Sequence, residues 1–213
     1  HINLSTHQHI NPSTPKSTMQ LNHPPLYLAS KSPRRQELLK AAGIPFQLID
    51  VDVEETYPDD MVVEDVPEFL ARKKATAAIP LVPHDGIVLA ADSIVILDNI
   101  VFGKPVDAAE AMEMLSKLVG RHHLVITGVF LGNHLRGVGF SEFTSVWIEP
   151  MSPEEIAYYV NTFPPLDKAG SYGIQDWLGW SKVSRIEGSY ANVMGLPIHK
   201  VYETLNNWNK EED

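Results

Sequence analysis

The chain has 213 residues, 44% of them hydrophobic, enough for one globular domain or two small lobes around a core that needs no staples. It contains no cysteine, which excludes disulfides, thiolate catalysis and thiolate zinc sites, and no apolar run nears the roughly 20 residues of a membrane span. The formal net charge of −10 argues against a protein that coats nucleic-acid backbones, though basic residues gathered in a cleft can still hold a small anion.

Residues 1–24 are polar, rich in His, Asn, Ser, Thr and Pro, and lack both periodicity and the apolar stretch of a signal peptide. They read as a disordered tail or residues left from cloning, with Met19 a candidate natural start. A single α/β domain is expected over 25–208, with an acidic tail over 209–213.

Within the domain, helical and extended patterns alternate. Leu26–Ala29 reads as a strand, Pro33–Ala42 as a helix and Phe46–Val51 as a second strand. Glu64–Ile79 reads as a helix with Pro67 tolerated near its start. Ile87–Ala91 is a buried-looking strand that ends at Asp92. Ser93–Leu97 and Ile100–Phe102 flank Asp98-Asn99, a hairpin turn. Ala108–Val119 is a helix. His123–Leu131 and Phe140–Ile148 are long strands joined through a Gly-rich turn. Pro153–Asn161 is a helix whose Ser152 and Glu155 form a capping box. Lys182–Ile186 is a strand, and Pro197–Trp208 is the closing helix.

The first strand–loop–helix carries the best anion signal. Ser32 sits where a cap belongs, Pro33 fits the first turn, and Gly43 follows the last turn. Ser30, Ser32, Lys31, Arg34 and Arg35 crowd a helix start, whose free N–H groups and positive end suit a phosphate. The same cations oppose the helix dipole, so the plain alternative is a solvated basic turn. Asp92, at a strand end, can bind a hard cation or take a proton from water, or it can simply begin a turn. The nine His residues show no helical ligand spacing, and His122-His123 point to opposite faces of a strand. No Walker loop, Gly-x-Gly-x-x-Gly or Gly-x-Ser-x-Gly setting occurs.

Ser30-Lys31-Ser32-Pro33-Arg34-Arg35, followed by Glu37-Leu38-Leu39, resembles the opening signature of the Maf family. The resemblance continues in order through Glu54-Glu55-Thr56, Ala71 to Ala75, Ala91-Asp92-Ser93, Gly103-Lys104-Pro105 and the segment from Gly120 to Gly128. It closes with Asp167 to Gln175, Gly188-Ser189-Tyr190 and Gly195-Leu196-Pro197, so it spans about 26–205. It implies an inosine triphosphate pyrophosphatase-like α/β fold, of the Maf/Ham type: a mixed, twisted sheet flanked by helices with a central cleft between two lobes.

The resemblance also implies hydrolysis of a nucleoside triphosphate between its α and β phosphates, with Asp92 as proton acceptor. Glu55 and Asp92 would hold Mg²⁺, with Mn²⁺ or Co²⁺ as alternatives. Lys74 and Lys104 would clamp phosphates, and Ser30, Ser32, Arg34 and Arg35 would bind them, Arg34 first. Gln175 and Ser93 would read the base: an amide offers a donor and an acceptor to an imide edge. Tyr172-Gly173-Ile174-Gln175 resembles the branch acting on dTTP and UTP.

Ser93 stands where that branch usually has Thr, which keeps the hydroxyl and loses a methyl. Asp176-Trp177-Leu178-Gly179 replaces the usual Gly-x-Gly after Gln175. Trp177 and Trp180 are expected to pack, with lining the pocket as the alternative. Further expectations are a cytoplasmic homodimer with no nucleic-acid or membrane partner. Rival readings are a purine-specific enzyme on the same scaffold and a nucleotide-binding regulator of septum formation without catalysis.

Overall fold

The computed structural model describes residues 23–210, so residues 1–22 and 211–213 of the expected tails lie outside it. In chain order the elements are β1 (Leu26–Leu28), α1 (Pro33–Ala41), β2 (Gln47–Leu48), α2 (Val66–Ala78), β3 (Ile87–Leu97), β4 (Ile100–Phe102) and α3 (Ala108–Leu118). There follow β5 (His122–Gly132), β6 (Gly137–Ile148), α4 (Pro153–Thr162), α5 (Trp177–Lys182), β7 (Val183–Glu187), α6 (Tyr190–Met194) and α7 (Ile198–Asn206). The strands form one mixed sheet in the order β2-β1-β3-β5-β6-β7, with β4 also on β3. The β2-β1-β3 pairs are parallel and the rest antiparallel.

Period-two alternation along β3 and β5 sorts side chains to two faces. In the first half of the sheet Ile87, Leu89, Val129 and Leu131 pack with Leu39 of α1 and Val201 and Leu205 of α7. On the opposite face Val88, Ala90 and Phe130 meet the small residues Ala71, Ala75 and Ala78 of α2. Farther along, Val95, Leu97, Val125 and Val146 form a second lobe with Leu115 of α3 and Tyr159 of α4. The mixed sheet with flanking helices is the architecture expected from the sequence.

Two features of β3 place the cleft. Its β5 edge is paired without interruption from Val88 to Ile96. On the other edge β1 stops at Leu89 and β4 begins at Val95, so among the described residues no strand pairs with the stretch around Asp92 there. Gly128, opposite Asp92, lets α2 lie against the sheet: a Cβ on it would fall 2.0 Å from the backbone nitrogen of Glu68.

Several boundaries differ from the sequence reading. Asp92 does not end a strand. Nine cross-strand partners on β5 carry β3 straight through it to Leu97. Ser32 occupies the N-cap of α1 but its side chain makes no cap bond; instead its N–H donates to Ser30 Oγ at 3.2 Å. The second strand shrinks to two residues, and Lys182 belongs to α5 rather than to the strand after it. The Ser152–Glu155 capping box is present. Asp98 and Asn99 take positive φ of 52° and 62° in the hairpin turn.

Candidate active site

A cleft of about 350 Å³ opens at the unpaired stretch of β3, and all ten residues singled out from the sequence line it: Ser30, Ser32, Arg34, Arg35, Glu55, Lys74, Asp92, Ser93, Lys104 and Gln175. The loop after β1 and the first turn of α1 bring the serines and arginines. α2 brings Lys74, β3 brings Asp92 and Ser93, and the turn after β4 brings Lys104.

Asp92 and Ser93 point to opposite sheet faces. On the α2 face, the Lys74 ammonium bridges two carboxylates, at 2.6 Å from Asp92 Oδ1 and 2.7 Å from Glu55 Oε1. Burial raises the pKa of Glu55, but the Lys74 hydrogen bond and charge, with Lys104 and Arg35 beyond, outweigh it and leave the carboxyl below its usual range. The neighbouring Lys73 turns away and donates to the Glu54 carbonyl at 2.8 Å. Lys104 makes no hydrogen bond or ion pair among the described residues.

On the other face, Arg35 donates through Nε to the Gly195 carbonyl (2.8 Å), and through its terminal nitrogens to Ser30 Oγ (3.1 Å) and Ser93 Oγ (3.2 Å). Desolvation lowers the pKa of this guanidinium, partly opposed by Asp92. Ser93 is thus turned toward Arg35 and Thr127. Arg34 reaches across the cleft to the Asp167 carboxylate and donates to its carbonyl at 3.1 Å. Asp167 is raised by burial and lowered more by hydrogen bonds from Lys168 and Arg34, so its carboxyl lies below the usual range. Lys31 is exposed and pairs with Asp50 at 3.0 Å.

The inner wall is of different chemistry. Val95, Val125, Ala169, Tyr172, Val193 and Met194 line it. Gln175 also lines the cleft, and its Oε1 is buried without a hydrogen-bond partner among the described residues. Its backbone carbonyl accepts from Trp180 Nε1 at 2.9 Å. Trp180 is otherwise exposed, and Trp177 packs on Tyr158 and Tyr159, so neither tryptophan lines the cleft. The aromatic wall is Tyr172, whose hydroxyl lies 2.7 Å from Nε2 of buried His123.

Sequence reasoning assigned no role to Tyr172, Asp167, Lys168 or the valine wall. Tyr172, Asp167 and Lys168 sit inside the motif that supplied Gln175, which was the available signal. The valines come from three separate elements and carried none.

The family model described as Maf-like protein matches residues 25–208. The chain is 46% identical over 181 residues to a dTTP/UTP pyrophosphatase of Phocaeicola vulgatus, covering 84% of this chain and 94% of that protein. It is 44% identical over 183 residues to one of Porphyromonas gingivalis, covering 84% and 92%. It is 46% identical over 180 residues to one of Thermosipho africanus, covering 84% and 91%. The structure of the Staphylococcus aureus Ham1 protein matches with a TM-score of 0.51 at 18% identity, covering 86% of this chain and 99% of that one, a likeness of fold.

Proposed function

The chain belongs to the Maf-like protein family, and from that premise we propose that it is a cytoplasmic hydrolase that cuts dTTP and UTP into the nucleoside monophosphate and pyrophosphate. The observation that carries the reading is the mixed lining of the cleft. Arg34, Arg35, Lys74 and Lys104 share its lining with an apolar set and the unpartnered Gln175 Oε1. A nucleoside triphosphate has that same mixture: an anionic chain, and a flat base with a hydrogen-bonding edge. The imide N–H of uracil or thymine is the donor that a buried amide oxygen lacks.

Glu55 and Asp92 are oxygen donors converging on one point, already spanned by an ammonium. The two carboxylates would hold a hard cation such as Mg²⁺ or Mn²⁺, which usually takes one or two carboxylates together with phosphate oxygens and water. When bound, that ion neutralises charge on the triphosphate.

The protein's own groups do the rest. A water oxygen adds to the α-phosphorus as Asp92 takes its proton, and the bond to the α–β bridging oxygen breaks, so pyrophosphate leaves with that oxygen. Arg35 and Arg34 hold phosphate oxygens. Lys104, unpaired beforehand, meets the charge that grows on the leaving group. The test is pyrophosphate release from a panel of triphosphates with Mg²⁺ or Mn²⁺. Turnover of UTP or dTTP with monophosphate as co-product, lost in Asp92→Asn, is expected. No turnover alongside tight nucleotide binding in both proteins refutes it.

A further inference from the structure

A chain of buried hydroxyls runs from the cleft into the sheet. Thr127 Oγ1, fully buried on β5, donates to the backbone carbonyl of Asn192 at 3.1 Å. It also lies 2.9 Å from Ser93 Oγ, which accepts from Arg35 at 3.2 Å. A hydroxyl has one proton. Thr127 spends its own on Asn192, so the proton between Thr127 and Ser93 belongs to Ser93. The direction is therefore fixed throughout: Arg35 to Ser93, Ser93 to Thr127, Thr127 to Asn192.

The far end is anchored. The two N–H groups of the Asn192 side-chain amide are shared among Thr144 Oγ1 (2.9 Å), the Glu142 carbonyl (3.1 Å) and the Val125 carbonyl (3.3 Å), tying α6 to β5 and β6. The same short helix ends at Gly195, whose carbonyl takes Arg35 Nε–H. Of the five N–H groups of Arg35, three are thus committed to Gly195, Ser30 and Ser93. One remains on each terminal nitrogen, free for a further acceptor such as a phosphate oxygen.

We propose that Thr127 is a positioning residue for phosphate recognition: by taking the Ser93 proton it locks Ser93 as an acceptor and holds Arg35 with its two spare N–H groups toward the triphosphate. In the same stroke it leaves Ser93 no proton to offer a base, so base reading falls to Gln175. This rests on the nucleotide reading above and adds a residue that touches no substrate.

Calorimetric binding of two separate probes, inorganic tripolyphosphate and uridine, tests it in wild type, Thr127→Val, Thr127→Ser and Ser93→Ala. Valine keeps the shape and removes the hydroxyl. Tripolyphosphate should bind about tenfold more weakly to Thr127→Val and to Ser93→Ala, the scale of one weakened charge-assisted bond. Uridine affinity should hold in both, and Thr127→Ser should bind tripolyphosphate like wild type. A general loosening would instead weaken both probes together and overturn the proposal. If Thr127→Val does not fold, Ser93→Ala decides, since unchanged tripolyphosphate affinity there also overturns it. Wild-type protein that binds neither probe refutes the nucleotide reading itself, a result distinct from any difference among variants.

Discussion

Replacing Gln175 by Leu should move stability and activity in opposite directions. In the free protein Gln175 Oε1 is buried with no partner, and such an acceptor costs about 1–3 kcal/mol. Leucine removes that cost and suits a wall already made of Val95, Val125 and Met194. The unfolding free energy should therefore rise by about 1 kcal/mol, which for a domain of this size lifts Tm by roughly 2–4 °C. In the complex the balance reverses, because the imide N–H and a carbonyl of uracil lose their partners at about 1–3 kcal/mol each. That lowers kcat/KM for UTP by about a hundredfold or more. CTP has an acceptor at ring N3 and cannot give Oε1 the imide bond, so its kcat/KM should fall less and the UTP-to-CTP ratio should drop. Scanning calorimetry and pyrophosphate release on UTP, dTTP and CTP read both effects. A Leu variant that is less stable than wild type and keeps its UTP-to-CTP ratio refutes the assignment of Gln175.

Asp92→Asn should cost about 10²- to 10⁴-fold in kcat for UTP, the usual range for a lost general base. Lys104→Ala should lower kcat by about a hundredfold with a smaller change in KM, and the reverse pattern would make Lys104 a ground-state binder. His123 supplies a pH dependence of stability. Burial, with the His122 charge behind it, pushes its imidazole down to about 4, while the unfolded chain protonates it near 6.5. Between those values the unfolded state holds more protons, so stability falls as pH drops from 6.5 toward 4, by roughly 3 kcal/mol in full. Urea midpoints at pH 7 and pH 5 should show the loss in wild type and a smaller one in His123→Gln. Asp167→Asn should free Arg34 from its partner across the cleft. Asp167 is half-exposed, so stability should change by less than about 1 kcal/mol, while KM for UTP falls a few-fold; an unchanged KM would mean that Asp167 does not compete with phosphate.

What the sequence made legible was local. Ser30 to Arg35 sits within six residues, Ser152 and Glu155 within one turn, and Asp98-Asn99 within one hairpin, so spacing alone could place them. The bonds that orient the site are not local. Arg35 reaches Ser93 across 58 positions, Ser93 reaches Thr127 across 34, and Thr127 reaches Asn192 across 65. No periodicity records such a path. The family resemblance offered Ser93 as a base-reading hydroxyl, and nothing in the sequence placed Arg35 and Thr127 beside it. The short helices α5 and α6, of six and five residues, were missed because neither is long enough to display a helical repeat. Asp92 was read as a strand end because a charge interrupted an apolar run. The strand continues because β5 supplies its pairing on one edge, while the other edge lacks a strand there and leaves room for a polar side chain.

That gap explains why chemistry can sit on a rigid element here without weakening the fold. A strand paired on both edges and covered on both faces would bury Asp92 at a prohibitive cost in desolvation. A loop would accept it but would hold it loosely. Between Leu89 and Val95, β3 is fixed along one edge by β5 and open along the other, so Asp92 is held by the sheet yet faces the cleft. α2 completes the arrangement through backbone contact at Gly128, which brings Lys74 within 2.6 Å of that carboxylate. The backbones that carry Asp92 and Lys74 are thus spaced by packed elements, while Glu55 reaches the same ammonium from the loop after β2.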